Sequence, residues 1–363
     1  MMVVSKQHQI FFEFLRFSIG SKHEIPSSLK EADWKELYRI AQKQCLVGVL
    51  FDGIQKLPPA EVGMSKDLLL QWMMQCQMLE KANVRLNDAA IQVSEWFRKK
   101  GFRTCILKGQ GNALMYPNPY SRTPGDIDIW VEGGDKRVIS FVRSISPHEK
   151  ACYHHIEFPS YKGVEVEVHY RPSFLLCFWH DRKLQKYYER VKEEQFSHRV
   201  MLGEQGEIAI PTVEFNLIFQ LTHIYAHLMN EGIGLRQLLD YYYVLISDDL
   251  LLIRDRVQKE LKELGVWQFA GAIMYIMQEV FGMPASRLIV PPNEKYGRFV
   301  LNEVLEAGNF GRHDDRNRFG RSKLGHNLQR VYRDMRLVRY FPAEALSEPI
   351  FRTWHFFWRL RHK

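Results

Sequence analysis

Two aspartates one residue apart, Asp126 and Asp128 in GDIDIWV, follow a lysine–glycine pair, Lys108-Gly109 in CILKGQG. Strand side chains alternate, so Asp-x-Asp puts both carboxylates on one face and turns Ile127, Ile129 and Val131 to the other, into a core. Two adjacent carboxylates repel unless a positive charge sits between them. A divalent cation is the usual solution, and beside phosphate that cation is usually magnesium. A third acid follows in a strict alternation over residues 164–170, Val-Glu-Val-Glu-Val-His-Tyr. Glu165, Glu167 and His169 form one face of this half-buried strand pattern, and Val164, Val166, Val168 and Tyr170 the other. In one sheet with Asp126 and Asp128, Glu167 completes a three-carboxylate site; Glu165, one pleat away, is its rival for the third position.

These residues need elements to hold them. The pattern predicts a strand over 104–107, a short helix over 110–116, a proline-rich loop over 117–125 and a strand over 126–131. A helix over 134–146 follows Gly133-Gly134, then a hairpin of 152–158 with 164–170 that turns from Pro159 to Gly163. On the N-terminal side, Trp34, Leu37, Tyr38, Ala41 and Cys45 recur at helical spacing, as do Leu68, Leu69, Trp72, Met73 and Cys76. Ser27 or Ser28 is the expected cap of a helix near 28–44, Pro58-Pro59 separates two helices, and 66–100 reads as one long helix ending at Gly101. On the C-terminal side Pro211 opens a helix carrying His223 and His227, and another follows Gly234 from Leu235 to Ile246. Further helices fall near 251–280 and 293–307, and the glycine- and charge-rich stretch 308–326 reads as a loop or linker. The fold class is α+β, a small mixed β-sheet core flanked by helical regions. The expected division is a helical region over 1–100, the α/β core over 101–205 and a helical domain over 206–363.

Composition bounds the rest. At 46% apolar and 25% charged residues the chain is an ordinary globular one. Cys45, Cys76, Cys105, Cys152 and Cys177 are odd in number and widely spaced, with no Cys-x-x-Cys, which argues against a disulfide framework or a cysteine zinc site. The segment MMVVSKQHQIFFEFLRF lacks a clean apolar core and a cleavage site, and no stretch approaches a spanning helix, so the expected location is the cytoplasm. A net charge of +8 favours an anionic partner without choosing one.

The stretch LKGQGNALMYPNPYSRTPGDIDIWV followed by VEVEVHYRP resembles the nucleotidyltransferase superfamily of the DNA polymerase beta type. Within it the chain is similar to a poorly characterised bacterial branch marked by Lys-Gly, Tyr-Pro, Arg, Asp-Ile-Asp and acid-x-His, here Lys108-Gly109, Tyr116-Pro117, Arg122, Asp126-Ile127-Asp128 and Glu167-Val168-His169. The core of the likeness spans residues 103–171, with a weaker extension through 221–245. The superfamily usually has Gly-Ser or Gly-Gly at the turn where this chain has Gln110, and the span from Gln110 to Asp126 is long for the pattern.

The resemblance implies that Asp126, Asp128 and Glu167 hold magnesium, two ions with manganese as a substitute, and carry catalysis. Lys108, Gly109, Gln110 and Arg122 are then the nucleotide and phosphate contacts, with His169 and Glu165 behind the ligands. The expected reaction moves a nucleoside monophosphate from an NTP such as ATP to a hydroxyl of an unknown acceptor, whether small molecule, protein or RNA. Two other readings stay open: a non-catalytic relative that keeps the fold as an interaction module, and a metal-dependent hydrolase. The hydrolase would use His154, His155, His223 and His227, although Ile224 stands where a zinc protease helix carries glutamate. Arg236 and Asp240 are four apart and expected to pair. The tail with Trp354, Phe356, Phe357 and Trp358 among arginines reads as a docked helix, with a membrane or nucleic-acid contact as the alternative.

Overall fold

Asp33, not Ser27 or Ser28, starts the second helix: its carboxylate accepts from the Lys35 and Glu36 amides, while 27–31 form a separate 3-10 turn. The computed structural model describes residues 4–204, 206–314, 316 and 323–362. It begins with α1 (Lys6–Ser18), α2 (Trp34–Lys43), α3 (Val47–Lys56) and α4 (Lys66–Lys99). Ser65 caps α4 at its start, and Gly101, at φ +81°, turns the chain out of it.

The sheet segment follows as β1 (Thr104–Ile106), α5 (Gln110–Ala113), β2 (Ile127–Val131), α6 (Gly134–Ile145), β3 (His155–Tyr161) and β4 (Val164–His169). The strand order is β1-β2-β4-β3, with β2 and β4 parallel and both outer pairs antiparallel. Ile127, Ile129, Val131, Val166 and Val168 bury together with Val138 and Val142 of α6 and the later half of α4, from Leu86 to Phe97. The hairpin turns later than expected. β3 runs through Pro159 to Tyr161 with a shift in register, and Lys162-Gly163, both at positive φ, make the turn. Because β3 is an edge strand, the missing amide of Pro159 leaves no ladder bond unmade.

Next come α7 (Phe178–Ser197) and a hairpin of β5 (Arg199–Leu202) with β6 (Gly206–Ala209). The expected boundary between residues 205 and 206 falls inside this hairpin. Helices then run as α8 (Val213–Asn230), α9 (Leu235–Leu245), α10 (Leu250–Glu263), α11 (Trp267–Phe281), α12 (Glu294–Ala307), α13 (Lys323–Leu337) and α14 (Pro342–Arg361). The helical stretch expected near 251–280 is two helices, α10 and α11, parted at Gly265, where φ is +70°. Of the stretch read as a loop, 308–314 folds tightly against α8 and α9; residues 315 and 317–322 lie outside the described residues.

N- and C-terminal helices do not form separate bodies. Phe11, Phe14 and Leu15 of α1, Trp34 and Leu37 of α2, and the cores of α8 to α12 bury in one cluster. The tail docks as α14: Phe351 stacks on Phe174, Trp354 meets Tyr153 edge-on, and the Tyr153 amide donates to His355 Nε2 at 3.1 Å. Phe356 and Phe357 stay exposed. Among the described residues no helix is long and apolar enough to cross a membrane.

Candidate active site

Parallel pairing of β2 with β4 sets the three acids side by side. Its register places Asp128 opposite Glu167, and Asp126 lies on the same side just before β2 begins. One oxygen from each of Asp126, Asp128 and Glu167 lies within 4.8 Å of the others. Glu165 shares the face of β4 but stays exposed at the rim of the cleft, outside this cluster.

Lys108, at the end of β1, reaches across to the acids. Its Nζ is 2.8 Å from Asp128 Oδ1 and 3.0 Å from His223 Nε2. Burial works against its charge, but Asp128, Asp126 and Glu167 outweigh burial and raise its pKa. His169 Nε2 is 3.0 Å from Asp128 Oδ1; burial opposes the imidazolium, yet the hydrogen bonds and charges of Asp128 and Glu167 raise its pKa to about 9. Burial also opposes the Asp128 carboxylate, and Lys108 and His169 overcome it, holding the pKa below the usual range. Asp126 carries the uncompensated repulsion: the charge of Asp128, then burial, pushes it up to about 6.

Gly109, at φ +58°, makes the turn after Lys108, a conformation other residues resist. Two expected phosphate contacts have partners inside the protein, although Arg122 also lines the pocket beside Lys108 and Asp126. Gln110 is buried and its amide donates to Asn87 Oδ1 of α4 at 2.6 Å, so it faces the interior and braces the turn. The helix it opens has four residues, too short to offer a row of amides to an anion. Arg122 is buried with its guanidinium in a two-point bond to Asp240, Nε to Oδ1 and Nη2 to Oδ2, both 2.8 Å. Tyr116 donates to the same Asp240 oxygen at 2.7 Å. Asp240 is therefore taken by Arg122, not by Arg236 as the helical spacing suggested.

Arg236 is the cation that sequence reasoning missed. Released from Asp240, it donates to the Thr123 carbonyl at 3.0 Å and leaves its buried Nε without a partner. With Lys108, Gly109, Asp126 and Asp128 it lines a small pocket closed by Phe310. Beyond lies a cleft of about 790 Å³ bordered by Glu167, the histidines 154, 155, 223 and 227, and the inner face of α14. His223 and His227 meet at 2.8 Å, Nε2 to Nε2, but join no group of metal-ligating side chains among the described residues.

No curated protein matches the chain. A crystal structure of an antigenic nucleotidyltransferase-like protein from Paracoccidioides brasiliensis matches at 15% identity over 50% of this chain and 92% of that one, with a TM-score of 0.28. So loose a superposition carries no weight. A family model described as uncharacterised nucleotidyltransferase matches residues 30–282, which span β1 to β4, the three acids and the helices α8 and α9 that close the pocket. With well over half its length matched, the chain belongs to this family of uncharacterised nucleotidyltransferases.

Proposed function

We propose that the chain is a magnesium-dependent nucleotidyltransferase that moves a nucleoside monophosphate from an NTP to an acceptor hydroxyl. The observation that carries the reading is the convergence of Asp126, Asp128 and Glu167 beside Lys108, in a member of this family. The donor set fits a hard cation: the oxygens are close together, and Asp126 is pushed up to about 6 by the charge of Asp128 and by burial, a repulsion that positive charge relieves. Asp126, Asp128 and Glu167 would hold the metal, which supplies charge stabilisation to the entering and leaving oxygens.

The chain's own groups do the rest. Lys108 and Arg236 supply positive charge where the triphosphate enters, and Gly109 lets the backbone approach it. Glu167, which borders the cleft, accepts the proton of the acceptor hydroxyl. The hydroxyl oxygen forms its bond to the α-phosphorus as the bond to the bridging oxygen breaks, and pyrophosphate leaves with that electron pair. The cleft receives the acceptor.

Calorimetric titration of each NTP with magnesium, on the native chain and on Asp126→Asn/Asp128→Asn, tests the reading. Magnesium-dependent binding lost in the variant supports it. Absence of binding by the native chain to any NTP refutes it.

A further inference from the structure

We infer a second, nitrogen-rich metal site formed by His155, Glu167 and His169, which takes a borderline divalent ion of the zinc class. Strand pairing makes it. His155 of β3 stands opposite His169 of β4, and Glu167 shares the face of His169 two residues earlier. His155 Nδ1 and His169 Nε2 each lie 3.4 Å from the same Glu167 oxygen, Oε2. That separation is long for a hydrogen bond, which closes to about 2.7–3.2 Å. It matches the edge of a tetrahedron whose centre binds nitrogen and oxygen at about 2.0–2.1 Å, roughly 3.3–3.4 Å.

His169 is held in place from its other ring nitrogen. Its Nδ1 lies 3.3 Å from the Arg171 carbonyl oxygen, which can only accept, so the Nδ1 proton is fixed there. Nε2 faces the carboxylates of Asp128 and Glu167 at 3.0 and 3.4 Å, where an ion would take the place of the Nε2 proton. His155 Nδ1 also makes a hydrogen bond of 3.0 Å with His154 Nε2, which an ion would replace. Two imidazoles and one carboxylate favour a first-row transition ion over magnesium, whereas Asp126 and Asp128 offer only oxygen. Glu167 is common to both groups. An ion among the histidines would fix the orientation of the carboxylate that the transfer site needs. The inference concerns metal binding alone and does not depend on the proposed transfer reaction.

The test uses the full chain stripped with chelator and titrated with cobalt(II), followed by its visible absorption band. We expect saturation at one equivalent with a tetrahedral or five-coordinate band, displaced by zinc. His155→Ala, checked for native circular dichroism, weakens cobalt binding by at least about tenfold, because it removes a direct ligand. His169→Gln is the second variant and behaves alike. Asp126→Asn keeps the band, while magnesium-dependent NTP binding is scored separately. The inference is overturned by the absence of the band, or by a band that survives both histidine variants and vanishes in Asp126→Asn.

Discussion

Asp128 and Glu167 face each other across the parallel β2/β4 pairing and share His169, yet they differ in exposure. Asp128 is buried between Lys108 and His169, whereas Glu167 is about a third exposed and turned to the cleft. Asp128 is thus the fixed member of the pair and Glu167 the one open to the cleft. Asp128→Asn keeps the shape but removes the charge that Lys108 and His169 neutralise. Transfer activity should fall by on the order of 10²–10³-fold or more, with the fold retained, measured as pyrophosphate release once an acceptor is in hand.

Asp126 sets an acid limit. Its pKa of about 6 lies above the ordinary 3.8, so between these values the folded chain holds a proton that the unfolded chain has released. Its contribution to stability is therefore present at low pH and lost as pH rises through about 6, unless a cation restores it. Magnesium affinity should be flat above about pH 7 and fall by up to about tenfold per unit below 6, because cation and proton compete for one carboxylate. Magnesium-induced shifts in melting temperature at pH 5 and pH 7.5 check the sign: the shift must be larger at pH 7.5.

The Arg122–Asp240 fork is buried on both sides, with 4% and 7% of the side chains exposed. Removing either partner strands the other charge, and each single alanine variant should destabilise the chain by about 3–5 kcal/mol. The double variant should lose clearly less than the sum. Urea unfolding of the four chains measures this; additive losses would contradict a direct pair.

Gln110→Ala leaves Asn87 Oδ1 without its donor inside the protein. The expected loss is about 1–3 kcal/mol of stability with NTP affinity unchanged. A large fall in NTP affinity with normal stability would return Gln110 to the phosphate site.

Arg236→Ala should do the reverse of Gln110→Ala. Its guanidinium lines the pocket with a free buried nitrogen, so its loss should weaken NTP binding by about tenfold or more, in line with a charge-assisted hydrogen bond. Calorimetry on a variant with unchanged melting temperature reads this directly.

Much of the site was legible because strand periodicity is local. Alternation in GDIDIWV and VEVEVHY fixes which side chains share a face, and short glycine turns mark the strand ends. What escaped depends on partners far along the chain. Arg122 meets Asp240 and Lys108 meets His223, each more than a hundred residues away. Helical spacing within α9 offered Arg236 as the nearer partner of Asp240, and no local signal reveals that a loop arginine takes its place. α7 escaped for another reason: its buried Leu184, Tyr187 and Tyr188 are diluted by charged residues, which weakens the periodic signal.

α4 runs unbroken for 34 residues, roughly 50 Å, and is built into both cores: Leu68 and Trp72 into the helical one, Leu86 to Phe97 into the one beneath the sheet. It works as a strut. Enzymes that select substrates by closing one half over the other need a hinge between the halves, and here a rigid rod crosses the place where the hinge would be. A swing of the helical core relative to the sheet would have to bend α4. Under the proposed function, an acceptor would meet two halves already fixed to each other, as in a lock and not a jaw.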